Sequence, residues 1–245
     1  MSDLGQETQT TVSDLPPSGG GPGEVVRLDR YYDIASGMPL ASLDQPHARA
    51  YTVTDRRGDQ QGLFALICES WLAPRFDILG ALSRLARQPV LVPLAWDTVY
   101  WPPAGARRLA IVFEQPGGQR VQSTPGAKFT PFSEDAILRS LIKPLIPMLK
   151  EMRARGLMHR AIRADNLFFT DPQRSGVMLG ECVSTPAALD QPALYETVEN
   201  MMANPGGRAR GTQADDLYAL GVLIAVLLNG GEPGRSASLQ DILLG

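Results

Sequence analysis

Residues 158–169 read MHRAIRADNLFF, a mostly polar run between a long helix-type segment and a short apolar strand. The segment before this run starts at Ser133, a good helix N-cap whose next two residues are acidic, as the helix dipole favours. Apolar residues then recur at helical spacing until Gly156, which is a typical helix stop. The pattern predicts a helix, a polar loop and a strand that begins at Leu167, in that order.

This loop resembles the catalytic loop of protein kinases, which reads H-R-D-L-K-P-x-N before an apolar strand. His159 and Arg160 match its first two residues, and Asn166 matches its metal-binding asparagine. Ala161 stands where the family has its catalytic aspartate, and Arg163 stands where it has a lysine. The resemblance therefore implies a kinase-like loop without its usual general base.

Four other segments resemble parts of the same family and lie in the family's order. RLAIVFEQPGG (108–118) resembles the strand that leads into the hinge, and VMLGECVS (177–184) resembles the segment around D-F-G. YETVE (195–199) resembles the end of the activation segment. DDLYALGVLIAVLLNGGEP (215–233) resembles the buried central helix of the C-lobe.

The resemblance implies an α+β, bilobal protein-kinase-like fold with a β-rich N-lobe and an α-helical C-lobe. Residues 25–116 would form the N-lobe, and residues 117–245 would form an incomplete C-lobe that is truncated after the central helix. In that helix, Asp216 is expected to hold the catalytic-loop backbone. Glu199 is expected at the A-P-E glutamate, whose usual arginine partner would lie in a later helix. Residues 1–24 are polar and rich in Gly, Pro, Ser and Thr, which predicts a disordered tail.

Local patterns agree with this division. Before residue 116 the chain has one helix-type run, Phe76–Ala86, and four β-type runs, which are Ala50–Thr54, Leu63–Cys68, Val90–Leu94 and Leu109–Phe113. In the long helical segment after Ser133, Pro144 and Pro147 predict a kink or a break.

The predicted N-lobe departs from the family where a kinase anchors phosphates. Lys128 is the first lysine of the chain, so the phosphate-anchoring lysine is missing. The alignment places Ile67 at that lysine position and Leu79 at the position of its glutamate partner. Replacing a buried ion pair by packed apolar residues is often neutral or stabilising. Between residues 24 and 57 the only glycine is Gly37, so a glycine-rich phosphate loop is missing as well.

The hinge also departs from the family. Aligning IVFEQP with the hinge makes Phe113 the gatekeeper and places Pro116 where a backbone N–H normally contacts adenine. Proline has no N–H to donate. Ile67, Leu79, Phe113 and Pro116 are therefore predicted to line a vestigial cofactor cleft.

A metal site is one hypothesis for the polar residues Asn166 and Glu181. Asn166 and Glu181 could hold a divalent cation through oxygen ligands. The alternative is that Asn166 hydrogen-bonds the loop backbone and Glu181 pairs with a neighbouring arginine. Asp165 is expected to point away from the chemistry, although it could be recruited into it. His159 and Arg160 are expected to brace the loop and the activation segment.

Composition excludes several other classes of function. The 245 residues are 44% hydrophobic with a formal net charge of −3, which argues against general nucleic-acid binding. No apolar run reaches about 18 residues, so no membrane insertion is expected. The first residues lack a secretory signal, and a cytoplasmic location is the default. Only Cys68 and Cys182 are cysteines, and both are expected to be buried. Twenty of the 23 basic residues are arginine, since only Lys128, Lys143 and Lys150 are lysines, which suggests a bacterial source.

The leading hypothesis is a pseudokinase, a catalytically inactive protein-kinase-like domain that acts as a regulatory or protein-interaction module. No cofactor is expected, and its partner would be another protein or the remainder of a longer chain. The alternative is an unconventional nucleotide-dependent transferase in which Glu181 and Asn166 hold the metal of a bound ATP. A third hypothesis is a purely structural domain of a longer polypeptide.

Overall fold

The computed structural model describes residues 23–204, 208 and 210–232. The predicted tail lies outside this range except for its last two residues, and so does everything predicted beyond residue 232. We call residues 23–116 the N-terminal part, and the described residues from 117 onward the C-terminal part.

The N-terminal part is built on one antiparallel sheet of six strands in the order β1-β2-β3-β4-β6-β5. The strands are β1 (Val25–Leu28), β2 (Tyr32–Pro39), β3 (Ala48–Asp55), β4 (Leu63–Cys68), β5 (Ala95–Trp101) and β6 (Ala106–Glu114). One short helix, α1 (Phe76–Leu82), follows β4. The run at 90–94 was predicted as a strand, but only an isolated bridge from Val90 to Leu179 forms there.

Strand β4 lies between two apolar cores, which explains why all six of its residues are buried. Phe64, Leu66 and Cys68 face the core that contains α1 and the C-terminal part. Leu63, Ala65 and Ile67 face a second core, which the sheet encloses with residues of β1 and β5. Alternate residues of this strand therefore point to different cores.

The long helical segment is three pieces in direct succession. They are α2 (Glu134–Ile137), a π-helical turn (Leu138–Ile142) and α3 (Lys143–Ala154). Ser133 caps the first piece, because its hydroxyl accepts from the N–H of Ala136 over 3.2 Å. Pro144 is the second residue of α3, close to the end of the π-helical turn, where its missing N–H coincides with the change of hydrogen-bond register. The predicted irregularity is therefore a π-turn, with Pro147 inside α3.

The rest of the C-terminal part packs around one long apolar helix. A small sheet of β7 (Leu167–Phe169) and β8 (Val177–Leu179) precedes the short α4 (Val198–Met201) and the 17-residue α5 (Gln213–Asn229). Thr212 and Asp215 form a capping box that starts α5. Within the described residues, no helix combines the length and the apolar character needed to cross a membrane.

Candidate functional site

The cleft between the two parts is covered by residues 40–47, which connect β2 to β3 and which we call the β2–β3 loop. Leu43 of this loop is buried in the main core. Gln45, which is only 6% exposed, donates from Nε2 to Oδ1 of Asn166 over 3.2 Å. Its Oε1 accepts from the guanidinium of Arg163 over 3.4 Å. A side chain of the N-terminal part thus occupies the polar centre of the kinase-like loop.

Arg120 fastens the β2–β3 loop from the C-terminal side. Its Nε donates to the carbonyl of Ser42 over 3.0 Å, and its Nη2 donates to the carbonyl of Asp44. Its Nη1 donates to the carbonyl of Asp165 over 2.5 Å, and its guanidinium lies 4.8 Å from the ring centroid of Phe168. One arginine therefore ties the loop to the segment that carries Asn166.

The far end of the same loop binds the segment that resembles an activation segment. The Nε2 of His47 lies 3.1 Å from Oδ1 of Asp190, and the other oxygen of Asp190 accepts from the hydroxyl of Thr185 over 3.1 Å. The imidazole also meets the ring of Trp71 edge to face at 5.3 Å. The β2–β3 loop is thus held in its middle and at its far end.

Asn166 has a protein partner for every polar group of its side chain. Its Nδ2 donates to the carbonyls of Ala161 and Glu181, over 3.0 and 2.9 Å, while its Oδ1 accepts from Gln45. This is the backbone-bracing arrangement that the sequence offered as the alternative to metal binding.

The carboxylate of Glu181 accepts hydrogen bonds from residues two and three positions further along the chain. The two oxygens accept from the N–H of Val183 over 2.6 Å, from the N–H of Ser184 over 2.8 Å and from the hydroxyl of Ser184 over 2.5 Å. The expected arginine partner is therefore replaced by a local turn. Across the described ranges, no group of three or more His, Cys, Asp or Glu residues could hold a metal ion.

Ala161 stands at the position of the missing general base, and the nearest acidic residue along the chain, Asp165, forms an ion pair with Arg163. Ala161 contributes only a methyl group there. Asp165 is 7% exposed, and its Oδ1 lies 2.9 Å from Nε of Arg163. Its carboxylate is therefore committed to the neighbouring arginine.

One carboxylate, that of Asp216, and one arginine, Arg75, hold the backbone of the kinase-like loop. Oδ2 and Oδ1 of Asp216 accept from the N–H groups of His159 and Arg160, over 2.7 and 2.8 Å. From the opposite side, Arg75 donates to the carbonyls of Met158 and His159 over 2.7 and 2.8 Å. Burial raises the pKa of Asp216, and the hydrogen bonds from the two N–H groups oppose that rise.

The imidazole of His159 is fully buried and serves as a neutral hydrogen-bond donor. Burial, and then the positive charge of Arg75, lower the pKa of His159 to about 3. Since a carbonyl can only accept, the Nε2–H of His159 donates to the carbonyl of Gly180 over 3.2 Å. His159 thereby joins the loop to the end of β8.

The buried glutamate of the YETVE stretch is Glu196, whereas Glu199 was expected to be the structural one. Glu196 accepts from Nη2 of Arg160 over 3.0 Å, and both side chains are at most 1% exposed. Asp215 lies 3.9 Å from the same guanidinium. Glu199 lies on the exposed face of α4. The ion pair with the kinase-like loop is therefore made by Glu196, and no such contact of Glu199 is seen among the described residues.

The cleft residue of β4 is Cys68, one residue beyond the expected Ile67. Ile67 lies in the second core, on the opposite face of the sheet from Leu79. Cys68 lies in the same core as Leu79, and burial raises the pKa of its thiol, which the negative charge of Glu181 raises further. Phe113 is fully buried and stacks on Phe64 at 5.5 Å.

Pro116 is half-buried after β6, next to Gly117, whose backbone approaches that of Thr170 closely. Three residues that close the cleft had no sequence signal. Arg75, Arg120 and the amide of Gln45 bind mainly backbone carbonyls or a single amide, which leave no pattern in the sequence.

Comparison with known proteins identifies the architecture. No protein-family model matches the chain, and neither does any curated protein. The kinase domain of Mycobacterium tuberculosis PknI, in a mutant form, matches with a TM-score of 0.63 at 16% identity, over 89% of this chain and 81% of that chain. The autoinhibited serine kinase domain of the giant muscle protein titin matches with a TM-score of 0.57 at 16% identity, over 87% of this chain and 64% of the titin chain.

Rad53 1-466, in complex with AMP-PNP, matches with a TM-score of 0.60 at 16% identity over 81% of this chain. The match spans 49% of the Rad53 chain, so this protein corresponds to about half of that structure. At such low identity the likeness carries the fold alone. The predicted fold class is confirmed: the chain has an α+β protein-kinase-like fold, with a β-rich N-terminal sheet followed by helices.

Proposed function

We propose that this protein is a pseudokinase, a kinase-like domain without phosphotransfer that acts as a regulatory or protein-interaction module. The observation that supports this most strongly is the position of the β2–β3 loop. Gln45 and Arg120 hold the loop over Asn166, where a kinase would need room for the phosphates and their metal. The side-chain oxygen that would bind the metal already accepts from Gln45.

The chemistry of the remaining groups supports the same proposal. Phosphoryl transfer depends on positioning and on neutralising charge. Ala161 provides no base, and the nearby carboxylate of Asp165 is paired with Arg163. Cys68, the last residue of β4, faces the main core, and a thiol carries no positive charge that could anchor phosphates.

The surface supports a role in protein binding. Trp71 precedes α1 and Phe76 is its first residue, and they are 68% and 58% exposed. Exposed aromatic side chains are enriched in protein interfaces. The proposed partner is another protein or the remainder of a longer chain. The proposed location is cytoplasmic, with no role in nucleic-acid binding or membrane insertion.

The rival function, a nucleotide-dependent transferase, makes a different demand on the structure. It requires the β2–β3 loop to withdraw from Asn166. It also requires Glu181 to release the N–H groups of Val183 and Ser184 before it can hold a metal. Each released group would need a new partner, because unpaired buried polar groups are costly.

A thermal-shift experiment separates the two functions. The wild-type chain is melted with Mg²⁺ or Mn²⁺ alone, and again with ATP added, and the expected melting temperature is the same in both. Asn166→Ala and Glu181→Ala are melted in parallel, each against its own metal-only baseline. A rise with ATP in the wild type that either substitution abolishes would contradict a cleft without nucleotide and favour the transferase. Metal-dependent labelling of a substrate by ATP would overturn the pseudokinase itself.

A further inference from the structure

Arg75 and Asp216 bind the same two peptide groups from opposite sides. In the Met158–His159 peptide, the carbonyl accepts from Arg75 and the N–H donates to Asp216, over 2.7 Å in each case. In the His159–Arg160 peptide, the carbonyl accepts from Arg75 and the N–H donates to Asp216, over 2.8 Å in each case. Two consecutive peptide groups thus lie between a guanidinium and a carboxylate.

The two charged residues belong to different parts of the fold. Arg75 directly precedes α1 in the N-terminal part, and Asp216 lies in the first turn of α5, in the C-terminal part. Arg75 is 7% exposed and donates a third hydrogen bond, over 3.0 Å, to the carbonyl of Cys182. Its own N–H donates to the carbonyl of Val183 over 2.9 Å. One residue therefore carries four hydrogen bonds across the cleft.

The arrangement is electrostatically self-consistent. Carbonyl oxygens carry partial negative charge and face the cation, while N–H groups carry partial positive charge and face the anion. Each peptide dipole is therefore aligned with the field between Arg75 and Asp216, and hydrogen bonds in such a chain polarise one another. Loss of the cation would weaken the bonds of the N–H groups as well as those of the carbonyls.

We infer that Arg75 is a positioning residue that couples α1 to α5 through the backbone of residues 158–160. The backbone of the kinase-like loop thus connects the N-terminal part to the C-terminal part of the fold. Arg75 supplies the link between α1 and the rest of the cleft that the alignment found missing at Leu79. This inference concerns mechanical coupling, so it stands whether or not the chain proves catalytic.

Amide hydrogen exchange on the purified chain tests the coupling. Arg75→Met removes the cation and keeps an apolar side chain of similar length. We expect exchange to accelerate about tenfold both in α1 and at the N–H groups of His159 and Arg160, which bind Asp216 and do not touch Arg75. Arg75→Lys keeps the charge but not the fork, and an intermediate acceleration at the same two sites is expected.

Arg155→Met is the matched control. Arg155 also donates to a backbone carbonyl of the N-terminal part, that of Arg84 over 3.1 Å, but it is exposed and forms a single bond of this kind. The control should leave exchange at residues 158–160 unchanged. Acceleration confined to α1, no acceleration, or an equal effect of the control would overturn the inference. If Arg75→Met does not fold, Arg75→Lys is compared with the control instead. Faster exchange both in α1 and at residues 158–160 supports the inference, and any of the three results above overturns it.

Discussion

The side-chain amide of Gln45 donates to the side-chain oxygen of Asn166, so a residue of the N-terminal part occupies the polar group that a kinase would offer to a metal. The acceptor and the donor are both buried, and Arg163 binds the other end of the Gln45 amide. The site around Asn166 is therefore filled by side chains of the protein itself. This agrees with the kinase residues that the sequence lacks.

The Gln45 contact should be measurable as stability. Gln45→Ala leaves the oxygen of Asn166 and one N–H of Arg163 without their partner in a buried place, which costs about 1–3 kcal/mol. Urea unfolding of the variant should show this loss in the free energy of unfolding. Gln119→Ala, at an exposed position, is the control and should change it by less than about 0.5 kcal/mol. Equal values for the two variants would contradict the buried contact.

Arg120 should determine how tightly the β2–β3 loop is held. Arg120→Met removes hydrogen bonds to the carbonyls of Ser42 and Asp44, so amide exchange within residues 40–47 should accelerate about tenfold. Arg107→Met is the control, since Arg107 donates to one carbonyl, that of Thr98, on the exposed edge of the sheet. Unchanged exchange in the loop of the Arg120 variant would show that other contacts hold it.

Substitutions of Glu196 and Glu199 should change the free energy of unfolding by very different amounts. Glu196→Gln removes the buried charge that faces Arg160, and breaking such a pair costs about 3 kcal/mol. Glu199→Gln changes an exposed residue and should stay within about 0.5 kcal/mol of the wild type. Chemical unfolding of both variants at neutral pH makes the comparison. A larger loss of stability in Glu199→Gln than in Glu196→Gln would contradict this assignment of the buried ion pair.

His159 should make the fold sensitive to mild acid. Its pKa is about 3 in the folded chain and near 6.5 when unfolded, so acid protonates the unfolded state first. The stability that depends on neutral His159 is complete above about pH 7 and falls as the pH drops towards 3. Between pH 7 and pH 5 the loss amounts to about 2 kcal/mol.

Urea unfolding at these two pH values measures this loss. His159→Gln keeps a hydrogen-bond donor but does not titrate, and this variant should lose about 2 kcal/mol less than the wild type over the same interval. An identical pH dependence in the two proteins would show that His159 titrates normally.

The architecture could be predicted from the sequence because the kinase-like loop at 158–169 lies between helices and strands with regular apolar patterns. Helix α5, the hairpin of β7 and β8 and the loop between Gly156 and Leu167 follow from apolar runs, caps and spacing. Asp216 was assigned to the loop backbone through the resemblance to the family's central helix, and its carboxylate accepts from the N–H groups of His159 and Arg160. The kink near Pro144 was predictable from proline, although its π-helical form depends on packing.

Register was harder to predict wherever a strand is buried on both faces. All six residues of β4 are apolar, so no alternation distinguishes the face of Ile67 from the face of Cys68. Similarly, Glu196 and Glu199 are both acidic residues near the end of one segment, and only tertiary contacts separate them. The roles of Arg75 and Arg120 depend on backbone carbonyls, which every residue carries and which therefore give no sequence signal.

Transfer of labelled phosphate from ATP tests the central proposal most directly. The full chain is incubated with γ-labelled ATP and Mg²⁺ or Mn²⁺, alone and with a general protein substrate, beside Asn166→Ala as the matched variant. No incorporation above the Asn166→Ala background is expected, either in the protein itself or in the substrate. Metal-dependent incorporation by the wild type that Asn166→Ala abolishes would contradict it.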